Sequence, residues 1–297
     1  MLVSSTDGVR LAVHDLTGPE WATDGPDEAV ADDGRPPLLL SHATGLHGRV
    51  YQPLADVLRP HFHCWALDYR GHGNSPQPTS GRAEWAAFTE DAVAVSIALG
   101  LEGAIGFGHS MGGTALLMAQ IARPTTFAGL VVYEPISASR DAGGDTVAST
   151  MLASGARRRR PGFPSRDEAF ANYAGKPPLA TFSPASLRAY VDHGFDDEPD
   201  GSVRLKCTPA WEATVFEAGG REQSFRQLAD VDCPVLVLSG PATGGNMAAS
   251  YAPLVAEALP HSRFRQMDHL THMGPLQDPE LVGRAILDFV AGIDAAR

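Results

Sequence analysis

Cysteine is scarce in this chain. Three residues in 297 (Cys64, Cys207 and Cys233) lie far apart and are odd in number, which excludes a disulfide framework and suits a reducing compartment. Basic residues are also few, 23 Lys and Arg against 35 Asp and Glu, for a formal charge of −12. Phosphate neutralisation needs a basic face, so no nucleic-acid partner is expected. Long apolar runs are missing too: nothing approaches the roughly 20 residues that span a bilayer. The opening MLVSSTDGVR lacks the basic cluster and apolar stretch of a signal peptide. Aromatics make up only 7% of the chain, yet 43% hydrophobic residues are enough for a proper core. Composition thus leads to the expectation of an acidic, globular, cytoplasmic protein with no membrane partner. It names no chemistry.

What is present is a rhythm. A turn at Asp7-Gly8 precedes a period-2 stretch over residues 9–13 that reads as an edge strand, and a polar, acidic loop follows over 17–35. Short continuous apolar runs at 37–41, 64–67, 104–107, 130–133 and 235–238 have the pattern of strands buried on both faces. Helical stretches lie between them, the clearest over 83–99 and 111–123. Buried strands alternating with helices mean an α/β fold, a mostly parallel sheet flanked by helices. From 137 to 230 the alternation stops. This segment has helical pieces, four consecutive arginines (157–160) and nine of the 22 aromatic residues. It reads as an inserted helical cap, dividing the chain into a core of 1–136 and 231–297 and a cap of 137–230. The arginines are expected on its solvated surface, salt-bridged to Asp192 or to 196–198. The strand-helix rhythm then resumes to the final helix over 279–291.

Gly108-His109-Ser110-Met111-Gly112 is a G-x-S-x-G motif between a buried strand and a good helix. A nucleophile elbow needs small residues around a strained serine, and a following helix that points its N–H groups at the developing oxyanion. Ser110 needs a base oriented by a third group. In chain order an acid and then a histidine should follow. The histidine is sought in 268–276, just ahead of the last helix, where His272 is favoured and His269 is the fallback. The acid is harder to find. The loop after the 235–239 strand contains no carboxylate, whereas Glu134 ends the strand next to the nucleophile's and is followed by Pro135. Glu134 is taken as the acid. A second oxyanion N–H should come from the loop after 38–41, where Thr44 is chosen beside Met111. His42, which opens that loop, is retained as a substrate-side candidate, although orienting the loop is the commoner role for such a residue. Trp211 is the speculative pocket residue of the insertion. In the turn Asp68-Tyr69-Arg70-Gly71-His72-Gly73-Asn74-Ser75, Asp68 and Arg70 are expected to tie into backbone groups. His61 and His63 have no third ligand at metal spacing, so no metal is expected.

Taken together, Asp7-Gly8 with Leu11, His42-Ala43-Thr44-Gly45, the 68–75 turn, the elbow and His272-Met273-Gly274-Pro275-Leu276 resemble the capped subgroup of the α/β-hydrolase superfamily, in its order and over nearly the whole chain. The resemblance implies an eight-stranded sheet with a cap after the sixth strand. Two departures are Ala43, where the family more often has glycine, and the empty position of the family's common acid. Zearalenone lactonases, a capped branch, are similar in placing their acid after the sixth strand. The implied function is a cofactor-free serine hydrolase acting on a carboxylic ester or lactone of a small, fairly apolar molecule. A C–C bond hydrolase on the same triad is the alternative, as is a non-catalytic small-ligand receptor of the same fold. Serine at the elbow excludes the sister dehalogenases and epoxide hydrolases, which use aspartate there.

Overall fold

The computed structural model describes residues 1–18, 34–137, 146–221, 223–243 and 246–295. The first half alternates strand and helix: β1 (Leu2–Ser4), β2 (Arg10–Asp15), β3 (Pro37–Ser41), α1 (Gln52–Leu58), β4 (His63–Leu67), α2 (Trp85–Ala98), β5 (Ala104–His109), α3 (Met111–Ala122) and β6 (Phe127–Tyr133). An excursion follows, with α4 (Thr146–Arg157), β7 (Gly162–Phe163), α5 (Arg166–Ala174), α6 (Pro184–His193), β8 (Phe195–Asp197), β9 (Val203–Leu205) and α7 (Pro209–Gly219). The chain then returns through β10 (Val235–Ser239), α8 (Met247–Ala258), β11 (Ser262–Gln266), α9 (Gly274–Gln277) and α10 (Pro279–Asp294).

Eight strands form one sheet in the order β1-β2-β4-β3-β5-β6-β10-β11. The β1–β2 and β2–β4 pairs are antiparallel and the rest are parallel. The leucine run of β3 shows why such a strand reads as continuously apolar. Leu38 and Leu40 face one core with α1 and α10, while Leu39 faces the other with α2, α3 and α8, and all three are fully buried. Parallel pairing brings the residues that follow β3, β5, β6 and β10 to the same side of the sheet. Two details differ from the sequence reading. The stretch at 9–13 is the second strand, because the three-residue β1 lies outside it and is too short to show a periodicity. Most of the expected 17–35 loop, residues 19–33, lies outside the described residues.

The excursion is not wholly helical. β7, β9 and β8 form a small antiparallel sheet, built from strands of two and three residues that are too short to register as apolar runs. Its aromatics pack on one another, with Phe163, Tyr173, Tyr190 and Phe195 meeting edge to face at centroid distances of 5.5–6.5 Å. The four arginines do not share a solvated face. Arg157 pairs with Glu217, Arg159 turns inward to Glu212, and Arg160 lies over the Phe163 ring. No helix of the described residues is long and apolar enough to cross a membrane.

The 68–75 turn is held by buried charge. One Asp68 oxygen accepts from the Gly48 N–H at 2.6 Å, and the other faces the Asn74 N–H at 2.7 Å and His14 Nε2 at 2.8 Å. Burial alone would raise the Asp68 pKa, but the bond to His14 holds it well below the usual carboxylate range. Arg70 is fully buried and binds carboxylates rather than backbone: Asp91 through two nitrogens at 2.6 and 2.8 Å, and Asp7 at 3.0 Å.

Several histidines are kept neutral by the fold. Burial lowers the pKa of His42 and His193 to about 3, and those of His47 and His72 to about 4; it also pushes His109 well below its ordinary value. In the unfolded chain these rings take up protons below about pH 6.5, and in the folded chain they do not. Protonation therefore favours unfolding, and stability is lost as pH falls from about 6.5 toward the folded values. Urea midpoints should be flat above about pH 7 and fall steeply by about pH 5, with up to about five protons taken up on unfolding. A midpoint unchanged between those pH values would refute the burial of neutral imidazoles.

Candidate active site

The tight turn from β5 into α3 leaves no space around its glycines. A Cβ on Gly108 would stand 2.5 Å from the Gly113 Cα. Ser110 occupies the turn at φ 54° and ψ −119°, a region that non-glycine residues avoid. Its N–H donates to the Tyr133 carbonyl at 2.9 Å, which anchors the elbow to β6. The serine is 7% exposed, so its hydroxyl is not sealed in.

Glu134 is the first residue after β6 and also has a positive φ, 44°. Its side chain is fully buried, so its charge must be satisfied within the protein. Oε1 accepts from the Gly240 N–H at 2.9 Å and from Asn246 Nδ2 at 3.0 Å, with the Ser239 hydroxyl at 3.2 Å. Oε2 faces His272 Nδ1 at 2.5 Å. A carboxylate accepts, so His272 carries its proton on Nδ1 and leaves Nε2 as the basic nitrogen. The loop after β10, where the acid is commonly expected, supplies donors to the acid instead. Asn246 does this while its Oδ1 caps α8 by accepting from the Ala249 N–H at 3.4 Å.

The backbone of His272 is held just as firmly. His109 Nε2 donates to the His272 carbonyl at 2.8 Å, and His109 Nδ1 then accepts from the Tyr51 hydroxyl at 2.7 Å. Tyr133 donates its hydroxyl proton to the Thr271 carbonyl at 2.7 Å. Burial, reinforced by Glu134, raises the Tyr133 pKa, and burial raises that of Tyr51, so both remain protonated donors. Burial and the adjacent His272 keep His109 neutral, as its two bonds require. Since His109 and His272 are in ring contact at 5.0 Å, the residue preceding Ser110 touches the histidine that Glu134 holds.

Thr44 and Met111 also meet, the Thr44 hydroxyl lying 3.4 Å from the Met111 Sδ. Neither backbone N–H finds an acceptor among the described residues. Met111 begins α3, whose N-terminal dipole favours negative charge at this point.

Three candidates belong elsewhere. His42 is fully buried, with Nε2 accepting from the Tyr69 N–H at 3.0 Å and Nδ1 donating to the Ala43 carbonyl at 2.8 Å. It ties the loop to the 68–75 turn and has no nitrogen left for a substrate. Trp211 is 2% exposed and donates its indole N–H to the Arg70 carbonyl at 3.1 Å, so it fastens α7 to that turn rather than lining a pocket. His269 is exposed, and its carbonyl accepts from Gln277 Nε2 at 3.0 Å. Among the described residues no group of three or more His, Cys, Asp or Glu could hold a metal.

Sequence reading missed His109, Tyr51, Tyr133, Gly240 and Asn246. Asn246 alone left a trace, as a helix-capping residue ahead of an apolar stretch. His109→Phe should leave the His272 carbonyl and the Tyr51 hydroxyl without their partner, at about 1–3 kcal/mol of stability. The check is the thermal midpoint of the variant, and an unchanged midpoint would contradict these bonds.

The chain is 29% identical over 239 residues to a non-heme chloroperoxidase of Streptomyces lividans, covering 76% of this chain and 80% of that protein. Among solved structures, E-2-(acetamidomethylene)succinate hydrolase superposes with a TM-score of 0.77 at 21% identity, covering 98% of this chain and 99% of the other. An esterase from Rhodococcus sp. superposes with a TM-score of 0.70 at 24% identity, over 99% and 98% of the two chains. Both share the fold. Residues 38–285 match the model of the alpha/beta hydrolase family, and the chain belongs to that family.

Proposed function

We propose that the protein is a serine hydrolase that cleaves a carboxylic ester or lactone of a small, fairly apolar molecule through Ser110, His272 and Glu134. The observation that carries this reading is the 2.5 Å contact between His272 Nδ1 and a Glu134 carboxylate whose other oxygen is already satisfied. That contact sets the tautomer a base needs. In the first step Ser110 Oγ attacks the carbonyl carbon and its proton passes to His272 Nε2. The carbonyl oxygen becomes an oxyanion, received by the N–H groups of Thr44 and Met111. On collapse the bond to the leaving oxygen breaks, and His272 returns the proton to that oxygen. Water then attacks the acyl-enzyme carbonyl with its proton going to His272; the bond from the carbonyl carbon to Ser110 Oγ breaks, His272 returns the proton to Oγ, and the acid departs. The same residues supply every proton transfer, and no cofactor takes part. The esterase among the structural relatives supports ester cleavage as the reaction class.

A fluorophosphonate should label Ser110 in the folded wild type and not in Ser110→Ala. Absence of labelling would favour the ligand-receptor alternative. Turnover of graded p-nitrophenyl esters, run beside small and macrocyclic lactones, separates the two substrate classes. Glu134→Gln should lower kcat by about 10⁴ with the fold intact, because the imidazole then loses its enforced tautomer. Near-normal turnover would remove Glu134 from the mechanism.

A further inference from the structure

The inserted segment touches the 42–48 loop at two points that belong to one network. The first is Gly45. Its φ is +78°, and a Cβ there would stand 2.4 Å from Glu212 Oε1, 2.8 Å from Cδ and 3.3 Å from Cγ. The end of the Glu212 side chain therefore lies directly over the residue that follows Thr44, in space only a glycine leaves open. Glu212 is 7% exposed, and its charge is met by Arg159, whose Nη1 donates to Oε2 at 2.5 Å. Arg159 Nη2 donates to the Tyr173 hydroxyl at 3.4 Å and also to the Tyr190 hydroxyl. The second point is His47. Its ring stacks on Tyr190 at 5.8 Å and 15°, and its Nε2 donates to the Tyr190 carbonyl at 3.2 Å.

We propose that Glu212, Arg159 and Tyr190 form a positioning device that grips the 42–48 loop at Gly45 and His47 and so fixes the Thr44 N–H beside that of Met111. The inference rests on the hydrolase reading, in which those two groups receive the oxyanion. Such donors act only when held within a few tenths of an ångström of the oxyanion's position, and the loop's own hydrogen bonds leave Gly45 open to the insertion. Glu212 and Arg159 touch no reacting atom in this account and act through the loop.

The test compares Glu212→Ala and Arg159→Met with Trp211→Phe, which removes one of the hydrogen bonds that tie α7 to the core, the bond from Trp85 Nε1 to the Val215 carbonyl remaining. Steady-state hydrolysis of p-nitrophenyl acetate and the rate of Ser110 phosphonylation are measured on the full chain, with thermal midpoints alongside. Losing alignment of one oxyanion donor should lower kcat and the phosphonylation rate together by about 10–100-fold, with KM changed less than about threefold. Arg159→Lys should recover part of the loss. Trp211→Phe should lower the midpoint and leave kcat within about twofold. Should Glu212→Ala fail to fold, Glu212→Gln keeps the shape and weakens the ion pair, and is expected to show the same split to a smaller degree. The proposal is overturned if kcat stays within about twofold in the Glu212 and Arg159 variants, or if its loss merely follows the midpoint as in Trp211→Phe. A wild type inert to both probes would instead remove the hydrolase reading itself, and this inference with it.

Discussion

A single buried carboxylate organises the packing of this site. Glu134 has no exposed surface, and an ionised carboxylate out of water is tenable only if the protein surrounds it with donors. Those donors come from separate stretches: Gly240 after β10, Asn246 at the start of α8, and His272 in the loop before α9. Satisfying the charge therefore brings together the carboxyl ends of β6 and β10 and the 268–273 segment. The positive φ of Glu134 fits this requirement. A residue leaving β6 in an ordinary extended conformation would aim its side chain differently, so the backbone strain is offset by the hydrogen bonds it allows. The same constraint suits a loop after β10 that supplies donors to Glu134 and carries no carboxylate. With Glu134 already seated against Gly240, a second carboxylate there would be a like charge at contact distance.

Much of this was legible in the sequence, and the reasons are local. The leucine run of β3 and the Gly108–Gly113 turn are decided by neighbours a few residues away, so pattern and spacing identify them. Glu134 is the expected acid because the loop after the 235–239 strand holds no carboxylate while Glu134 ends the neighbouring strand, and the fold sets it against His272. The three-stranded sheet of the insertion was invisible because strands of two and three residues carry no periodicity. The partners of His42 and Trp211 were not legible in the sequence, for a different reason. His42 opens a loop of functional appearance and Trp211 belongs to the aromatic insertion, yet each nitrogen is spent on a carbonyl or N–H brought near only by folding. No spacing along the chain records that the Tyr69 N–H or the Arg70 carbonyl will be the partner.

The histidines make the general point. The chain has 11 of them, and residue type alone does not single out a base. What separates them is the commitment of each ring nitrogen. His42 and His109 have both nitrogens engaged in buried hydrogen bonds, and burial keeps both rings neutral, so they serve as rigid struts. His272 differs in each respect. One nitrogen is committed to a carboxylate, and its side chain is 27% accessible. In the proposed reaction the base gains and loses a proton during turnover, which requires a partner that welcomes the charged form and access to the reacting group. A strut must never change its charge. His109 and His272 are in ring contact and take opposite roles. The difference follows from their partners, a tyrosine hydroxyl and a peptide carbonyl for one, a buried carboxylate for the other. That contrast makes Glu134 the origin of the site's asymmetry: without it His272 Nδ1 would lack the partner that fixes its tautomer.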